Sequence, residues 1–151
     1  TRTLKLLAVA DCYSEPWEAT ISFASQLPEA VRLGATYVLL SFYETACDPR
    51  AQPSVTEVAG VFSALKDIFP NSKIGFGEIG AQGESDGFPK PSLAEKQAIA
   101  NRYYGMHDSL RSTLGPRYVG GYFWWYYDQD AVPWDRQNSL WPTLDGLFDS
   151  Y

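Results

Sequence analysis

The chain has 151 residues, of which 45% are hydrophobic and 20% charged, a composition typical of one globular domain. Its net charge of −6 argues against a nucleic-acid partner, because proteins that bind phosphate backbones present an excess of lysine and arginine. No apolar run approaches the length of a membrane span, so we expect no membrane partner. No spacing of cysteine and histidine typical of a zinc site occurs, and the residues imply no cofactor.

Four near-continuous apolar runs predict β-strands. They are Thr3–Ala10, Tyr37–Tyr43, Lys73–Glu78 and Tyr118–Tyr127. Apolar runs without regular polar alternation are typical of parallel strands that are covered on both faces.

The segments between these runs have helical spacing. Helices are predicted within Trp17–Leu33, Ser54–Phe69, Ser92–Leu114 and Leu140–Phe148. A serine followed three residues later by glutamate, the capping-box pattern, marks the start of the second and third helices. The order βαβαβαβα predicts an α/β fold of four βα units, with parallel strands joined by right-handed crossovers.

Each predicted unit ends its strand on a carboxylate. These residues are Asp11, Glu44, Glu78 and Asp128. Catalytic groups of parallel α/β barrels lie at the carboxyl ends of strands, so the four acids predict a site there. Glu78 is the main candidate, because an acid that ends a buried strand costs solvation free energy unless it is paired or used. For Asp11 and Asp128, a helix N-cap or a solvated loop acid is the alternative.

Aromatic residues gather at the same predicted end of the sheet. They are Tyr13, Trp17, Tyr43, Phe88, Trp124, Trp125 and Trp134. Acids beside aromatic platforms suit sugars, because pyranose C–H faces stack on indole rings and sugar hydroxyls need acceptors. Adjacent strand residues point to opposite faces, so at most one of Trp124 and Trp125 faces the open mouth. The alternative is that both fill the core.

The segment Lys73–Gly80, which reads KIGFGEIG, resembles strand seven of the retaining glycoside hydrolases of the large (β/α)8-barrel clan that uses two glutamates. Tyr122–Trp125 resembles the end of strand eight, where that family often has a tryptophan under the sugar. Leu4–Asp11 and Tyr37–Tyr43 resemble strands five and six. The resemblance therefore implies half of a TIM barrel, the C-terminal half, with Glu78 as the nucleophile.

Further site residues follow from this resemblance. Either Trp124 or Trp125 is the platform of a sugar subsite, and Tyr43 or Glu44 positions or tunes Glu78. The implied partner molecule is a carbohydrate, specifically a β-linked glycoside.

The chain departs from the family in two respects. A full barrel has eight units and about 250 residues, whereas this chain has four units. The acid/base glutamate of the family usually follows an asparagine, and no Asn-Glu dipeptide occurs here. Retaining chemistry needs two carboxyl groups about 5–5.5 Å apart, so we expect weak activity or none from the chain alone. A non-catalytic carbohydrate-binding or structural half-barrel is the alternative.

Four parallel strands leave two open edges and one uncovered face, which predicts a two-fold dimer that completes eight strands. In a closed dimer, Asp128 of the partner subunit would lie near the place of the missing acid/base. A less favoured alternative is a magnesium-dependent barrel enzyme. Asp11, Glu44 and Glu78 resemble the metal triad of the enolase superfamily, but no lysine or histidine base stands at a strand end.

Two features beside the candidate site are left open by the sequence. Cys12 and Cys47 follow neighbouring strands, which is compatible with a disulfide or with two reduced side chains. The segment Gln82–Pro91, which follows Glu78, is either a substrate-binding lid or an ordinary exposed loop.

Overall fold

A computed structural model describes residues 2–7, 17–46, 52–81 and 90–150 of the chain. Several residues named above lie outside this part of the chain, and what was predicted for them stays a prediction. They are Asp11, Cys12, Tyr13, Cys47, Phe88 and residues 82–89 of the predicted lid or loop.

The described strands form one parallel sheet in the order β1-β2-β3-β4. The strands are β1 (Thr3–Leu7), β2 (Tyr37–Phe42), β3 (Lys73–Ile79) and β4 (Phe123–Trp124). The predicted α/β class with four parallel strands is therefore confirmed. Consecutive strands are neighbours throughout, as in a barrel wall.

Seven helices occur in the described part of the chain. They are α1 (Glu18–Gln26), α2 (Glu29–Gly34), α3 (Val55–Ile68), α4 (Leu93–Tyr104), α5 (His107–Leu114), α6 (Tyr127–Ala131) and α7 (Trp141–Phe148). Short 3-10 turns add Glu44–Ala46 after β2 and Gly115–Arg117 after α5. None of these helices is long and apolar enough to cross a bilayer.

Both predicted capping boxes are confirmed. The Ser54 hydroxyl accepts a hydrogen bond from the Glu57 N–H at 3.2 Å, and the Glu57 carboxylate accepts one from the Ser54 N–H at 2.7 Å. The Ser54 hydroxyl also donates to the Glu57 carboxylate at 2.7 Å, and this bond, together with the one from the Ser54 N–H, holds the pKa of Glu57 below its ordinary value. Ser92 and Glu95 make the same pair of contacts at the start of α4.

Two of the predicted helical segments are each divided into two helices. The first is interrupted at Leu27, which is extended (ψ 144°) because the proline that follows disfavours helical conformation in the residue before it. Pro28 then caps α2. The second is interrupted at Gly105 and Met106, which form a turn between α4 and α5.

The fourth strand is much shorter than the predicted Tyr118–Tyr127. A single bridge joins Ile74 to Tyr118, and the ladder resumes only at Phe123. Between them Gly120 and Gly121 have φ values of +72° and +106°, which are incompatible with a regular strand. A Cβ at Gly121 would collide with the carbonyl of Phe76, so this close approach requires glycine.

The two faces of the sheet differ in what covers them. One face carries the core side chains Leu6, Val38, Leu40, Ile74 and Phe76, all of which are buried. The described helices pack on this face, where the rings of Phe62 and Tyr103 lie 5.0 and 5.9 Å from that of Phe76.

The opposite face, which we call the open face, carries the alternating residues Thr3, Lys5, Tyr37, Leu39, Ser41, Lys73, Gly75 and Gly77. Lys5 and Lys73 are exposed there, and Leu39 is half-buried. A helix layer on one face is compatible with half of a barrel, whose second face would line the interior.

Candidate functional site

Glu78 lies where the ladder between β2 and β3 changes register. Leu40 pairs with Phe76 but Phe42 pairs with Ile79, so β3 contains one extra residue in this stretch. The Glu78 N–H donates to the hydroxyl of Ser41 at 2.9 Å. A bulge of this kind redirects the side chain at a strand end, and it is common beside active sites.

Both carboxylate oxygens of Glu78 are held from neighbouring strands. Oε1 accepts from Nζ of Lys5 on β1 at 3.0 Å, and Oε2 accepts from the hydroxyl of Tyr43, which follows β2, at 3.0 Å. The Glu78 side chain is 18% exposed, compared with 57% for Lys5. Three consecutive units of the sheet therefore converge on one carboxylate at the edge of the open face.

The glycine at position 77 is required by this arrangement. A Cβ there would lie 2.7 Å from Oγ of Ser41, the acceptor of the Glu78 amide. Any side chain at Gly77 would displace that hydroxyl and disturb the bulge.

Trp125 lies next to the end of β3 and is the exposed member of the tryptophan pair. Its backbone N–H donates to the carbonyl of Ile79 at 2.9 Å. Because Ile79 is the residue that follows Glu78, this hydrogen bond fixes the backbone of Trp125 next to the end of β3. A Cβ built at Gly80 would lie 3.5 Å from Cβ of Trp125 and 3.4 Å from Cε1 of Tyr43. The Trp125 side chain is 54% exposed, so its ring surface is available to a ligand.

Trp124 faces the helix layer instead. It is 6% exposed, and its Nε1 donates to Oδ2 of Asp130 at 2.8 Å. The expectation that at most one of the two tryptophans faces the open mouth therefore holds, with Trp125 in that place. Of the other predicted aromatics, Trp17 is buried against Phe42 and Trp134 is exposed.

Glu44 is committed to the packing of α4. Its oxygens accept from one guanidinium nitrogen of Arg102 at 2.8 and 2.7 Å, and Oε2 also accepts from the Tyr103 hydroxyl at 3.0 Å. Burial and the adjacent Glu44 charge raise the pKa of Tyr103. With 2% exposure, Glu44 faces this helix rather than a ligand on the open face.

The carboxylates after β4 occupy different environments. Asp128 is exposed on α6, whereas Asp130 is buried, pairs with Lys96 of α4 and binds Trp124. Asp130 was not predicted as a site residue. The sequence predicted a strand as far as Tyr127, whereas α6 begins there and places Asp128 and Asp130 in different environments.

Lys5 was not predicted as a site residue either, although a lysine within the apolar run of the first strand was a usable signal. No group of three metal-ligating side chains is placed together among the described residues. Of the predicted triad, Asp11 lies outside this part of the chain, while Glu44 and Glu78 each bind a cation of the protein.

Comparisons of the chain with protein-family models, curated proteins and solved structures found no match. The functional argument therefore depends on the geometry of the site. A carboxylate fixed by an ammonium and a phenol beside an exposed indole can act as a nucleophile or as an acceptor for hydroxyl groups.

Proposed function

We propose that this chain is the nucleophile-bearing half of a retaining β-glycosidase-like barrel, with a carbohydrate site at the carboxyl end of its sheet. The observation that supports this proposal is the position of Glu78, whose carboxylate Lys5 and Tyr43 hold at the end of β3, where the neighbouring chain after β4 carries the exposed Trp125. Both donors bind the ionised form of the carboxylate, the form that attacks an anomeric carbon. The indole beside it offers a stacking surface for a sugar ring.

The described part of the chain offers no equally suitable general acid. Glu44 and Asp130 are buried, and each is committed to a cation of the protein, so neither is available to a leaving group. On the described residues we therefore expect weak turnover or none from the chain alone, because double displacement requires a second carboxyl group.

Self-association supplies the missing half of the barrel. In the described sheet β1 and β4 each have a neighbour on one side only, and the open face carries Lys5 and Lys73 exposed. A two-fold dimer would pair these edges and enclose the open face. Asp128 is exposed on the helix that follows β4, so Asp128 of the partner subunit is the candidate for the acid/base.

Turnover of an aryl β-glycoside and the mass in solution test this proposal together. Glu78→Gln should abolish turnover, while Glu29→Gln, which changes an exposed carboxylate on α2, should leave it intact. Turnover that survives in Glu78→Gln would contradict the nucleophile assignment. A compact monomer at micromolar concentration would contradict completion by a second copy.

A non-catalytic carbohydrate-binding half-barrel is the second candidate. It is favoured by the pairing of Glu44 with Arg102 and of Asp130 with Lys96, which leaves Glu78 without a described carboxyl partner. Binding of an oligosaccharide that depends on Trp125, without turnover in any oligomeric state, would identify this function.

A further inference from the structure

A second cavity lies away from Glu78, between the start of α4 and the segment that joins α6 to α7. It has a volume of about 700 Å³. Its charged lining residues are Lys90, Lys96, Asp130 and Arg136, and amide side chains that include Gln137 and Asn138 complete the wall. α4 follows β3 in the chain, and the segment between α6 and α7 follows β4. The cavity therefore lies towards the carboxyl ends of these strands, as Glu78 does.

Among the described residues, the cationic groups of this cavity outnumber its carboxylates, of which Asp130 is the one in the lining. Asp130 already pairs with Lys96 and accepts a hydrogen bond from Trp124. Lys90 and Arg136 therefore have no carboxylate partner among the described residues of the lining. Lys90 is exposed. A terminal nitrogen of Arg136 donates to the carbonyl of Gln129, but its Nε is buried and has no acceptor among the described residues.

A buried guanidinium N–H without an acceptor is costly unless a ligand supplies one. The net charge of the chain is −6, so a local excess of cations is not a general property of its surface. The cavity is therefore suited to an anionic group that accepts hydrogen bonds from Arg136 and Lys90.

The neighbouring amides indicate what carries the anionic group. Gln137 and Asn138 offer both donors and acceptors, which suits hydroxyl groups rather than an apolar ligand. The cavity volume lies within the range of small-molecule sites, about 300–1,000 Å³. Trp124 connects the cavity with the candidate site at Glu78. Its side chain donates a hydrogen bond to Asp130 of the cavity wall, and the next residue is Trp125.

We propose that this cavity binds the anionic substituent of a saccharide, a uronate carboxylate or a sulfate ester, so that the carbohydrate recognised by the chain is acidic. This inference rests on the proposed carbohydrate site and names its substrate class. Arg136 and Lys90 bind the anionic group, and Gln137 and Asn138 bind the adjacent hydroxyls.

Isothermal titration of the full chain with a tetrasaccharide of galacturonic acid tests the inference, with the neutral galactose tetrasaccharide as the comparison ligand. Arg136→Gln and Lys90→Gln should each weaken binding of the acidic ligand by about tenfold, because each removes a charge-assisted hydrogen bond. Lys73→Gln, which removes an exposed cation at the other end of β3, is the matched control and should change nothing. Since Lys90 is exposed, its variant tests the site even if Arg136→Gln disturbs folding.

The outcomes separate this inference from the proposed function. Equal affinity for the acidic and neutral ligands, or acidic binding that Lys90→Gln leaves unchanged, would overturn the inference. A sulfated galactose tetrasaccharide that binds with the same dependence on Arg136, while the uronate does not, would support it and identify sulfate as the anion. Acidic binding that persists in Trp125→Ala and Glu78→Gln, with no turnover of any ligand by the unaltered chain, would support the cavity and count against the glycosidase proposal.

Discussion

Lys5 and Glu78 form an ion pair that crosses β2, with Nζ and Oε1 3.0 Å apart. Lys5 remains 57% exposed, so water screens the interaction and its contribution to folding stability is small, about 0–1 kcal/mol. The pair and the Tyr43 hydroxyl nevertheless restrict the rotamer of Glu78 from two directions. This contact is therefore better suited to positioning a reactive carboxylate than to holding the sheet together.

Loss of either donor should slow the reaction of Glu78 much more than it changes stability. A 2-deoxy-2-fluoro glycosyl fluoride is the reagent of choice, since its fluoride leaves without protonation and the labelling needs no general acid. We expect Lys5→Gln and Tyr43→Phe each to slow covalent labelling by about tenfold, the cost of one charge-assisted hydrogen bond. Intact-mass measurement over time gives the rate.

Lys73→Gln is the control for Lys5→Gln, because both lysines are exposed on the open face and only Lys5 contacts Glu78. Equal labelling rates in Lys5→Gln and the unaltered chain would show that Lys5 does not position the carboxylate.

Trp125 should contribute more to sugar binding than any other exposed tryptophan. Trp125→Ala should weaken binding of an oligosaccharide by about tenfold, because stacking on an aromatic ring contributes about 0.5–1.5 kcal/mol beyond its buried area. Trp134→Ala is the matched control, since Trp134 is 68% exposed and Trp125 54% exposed. Titration calorimetry separates the two, and a loss of affinity in both variants would argue against a platform at Trp125.

The contact between Glu44 and Arg102 should behave in the opposite way to that between Lys5 and Glu78. Arg102→Met leaves a 2% exposed carboxylate without its cation, which we expect to lower the free energy of unfolding by about 3 kcal/mol. Urea denaturation measures this difference, and Lys5→Gln provides the comparison with a loss of at most about 1 kcal/mol. Similar losses in the two variants would contradict the assignment of Glu44 to structure and Glu78 to the site.

The order of elements was predictable because local signals were consistent with one another. The capping boxes at Ser54 and Ser92 predicted where α3 and α4 begin, and the apolar runs predicted β2 and β3 closely. β4 was predicted too long. Gly120 and Gly121 are left-handed, and Gly121 closely approaches the backbone of Phe76, a contact between residues distant in sequence.

The residue types of the candidate site were predictable, but the pairing of its side chains was not. Glu78, Tyr43 and Trp125 were proposed from their positions at strand ends, whereas Lys5 is 73 residues from Glu78 and meets it only through the register of the sheet. Either Tyr43 or Glu44 was expected to position Glu78. Tyr43 contacts it, whereas the 3-10 turn that contains Glu44 directs that carboxylate to α4. The direction of a side chain in such a short turn depends on the backbone conformation of the turn, and the composition of the sequence does not determine that conformation.

The capping box at the start of α3 should give the stability of the chain a specific dependence on pH. The folded pKa of Glu57 is lowered from 4.5, mainly by its hydrogen bonds with Ser54, so its contribution is fully present above pH 4.5 and is lost as the pH falls through the folded pKa. Ser54→Ala should therefore lower the free energy of unfolding by about 1 kcal/mol at pH 7 and by less at pH 3. Urea denaturation at the two pH values measures the difference.

Ser25→Ala is the control, because Ser25 is an exposed serine within α1 whose hydroxyl donates to the carbonyl of Ser22 and has no carboxylate partner in that bond. An equal loss at both pH values in Ser54→Ala would show that Ser54 caps the helix without the carboxylate of Glu57.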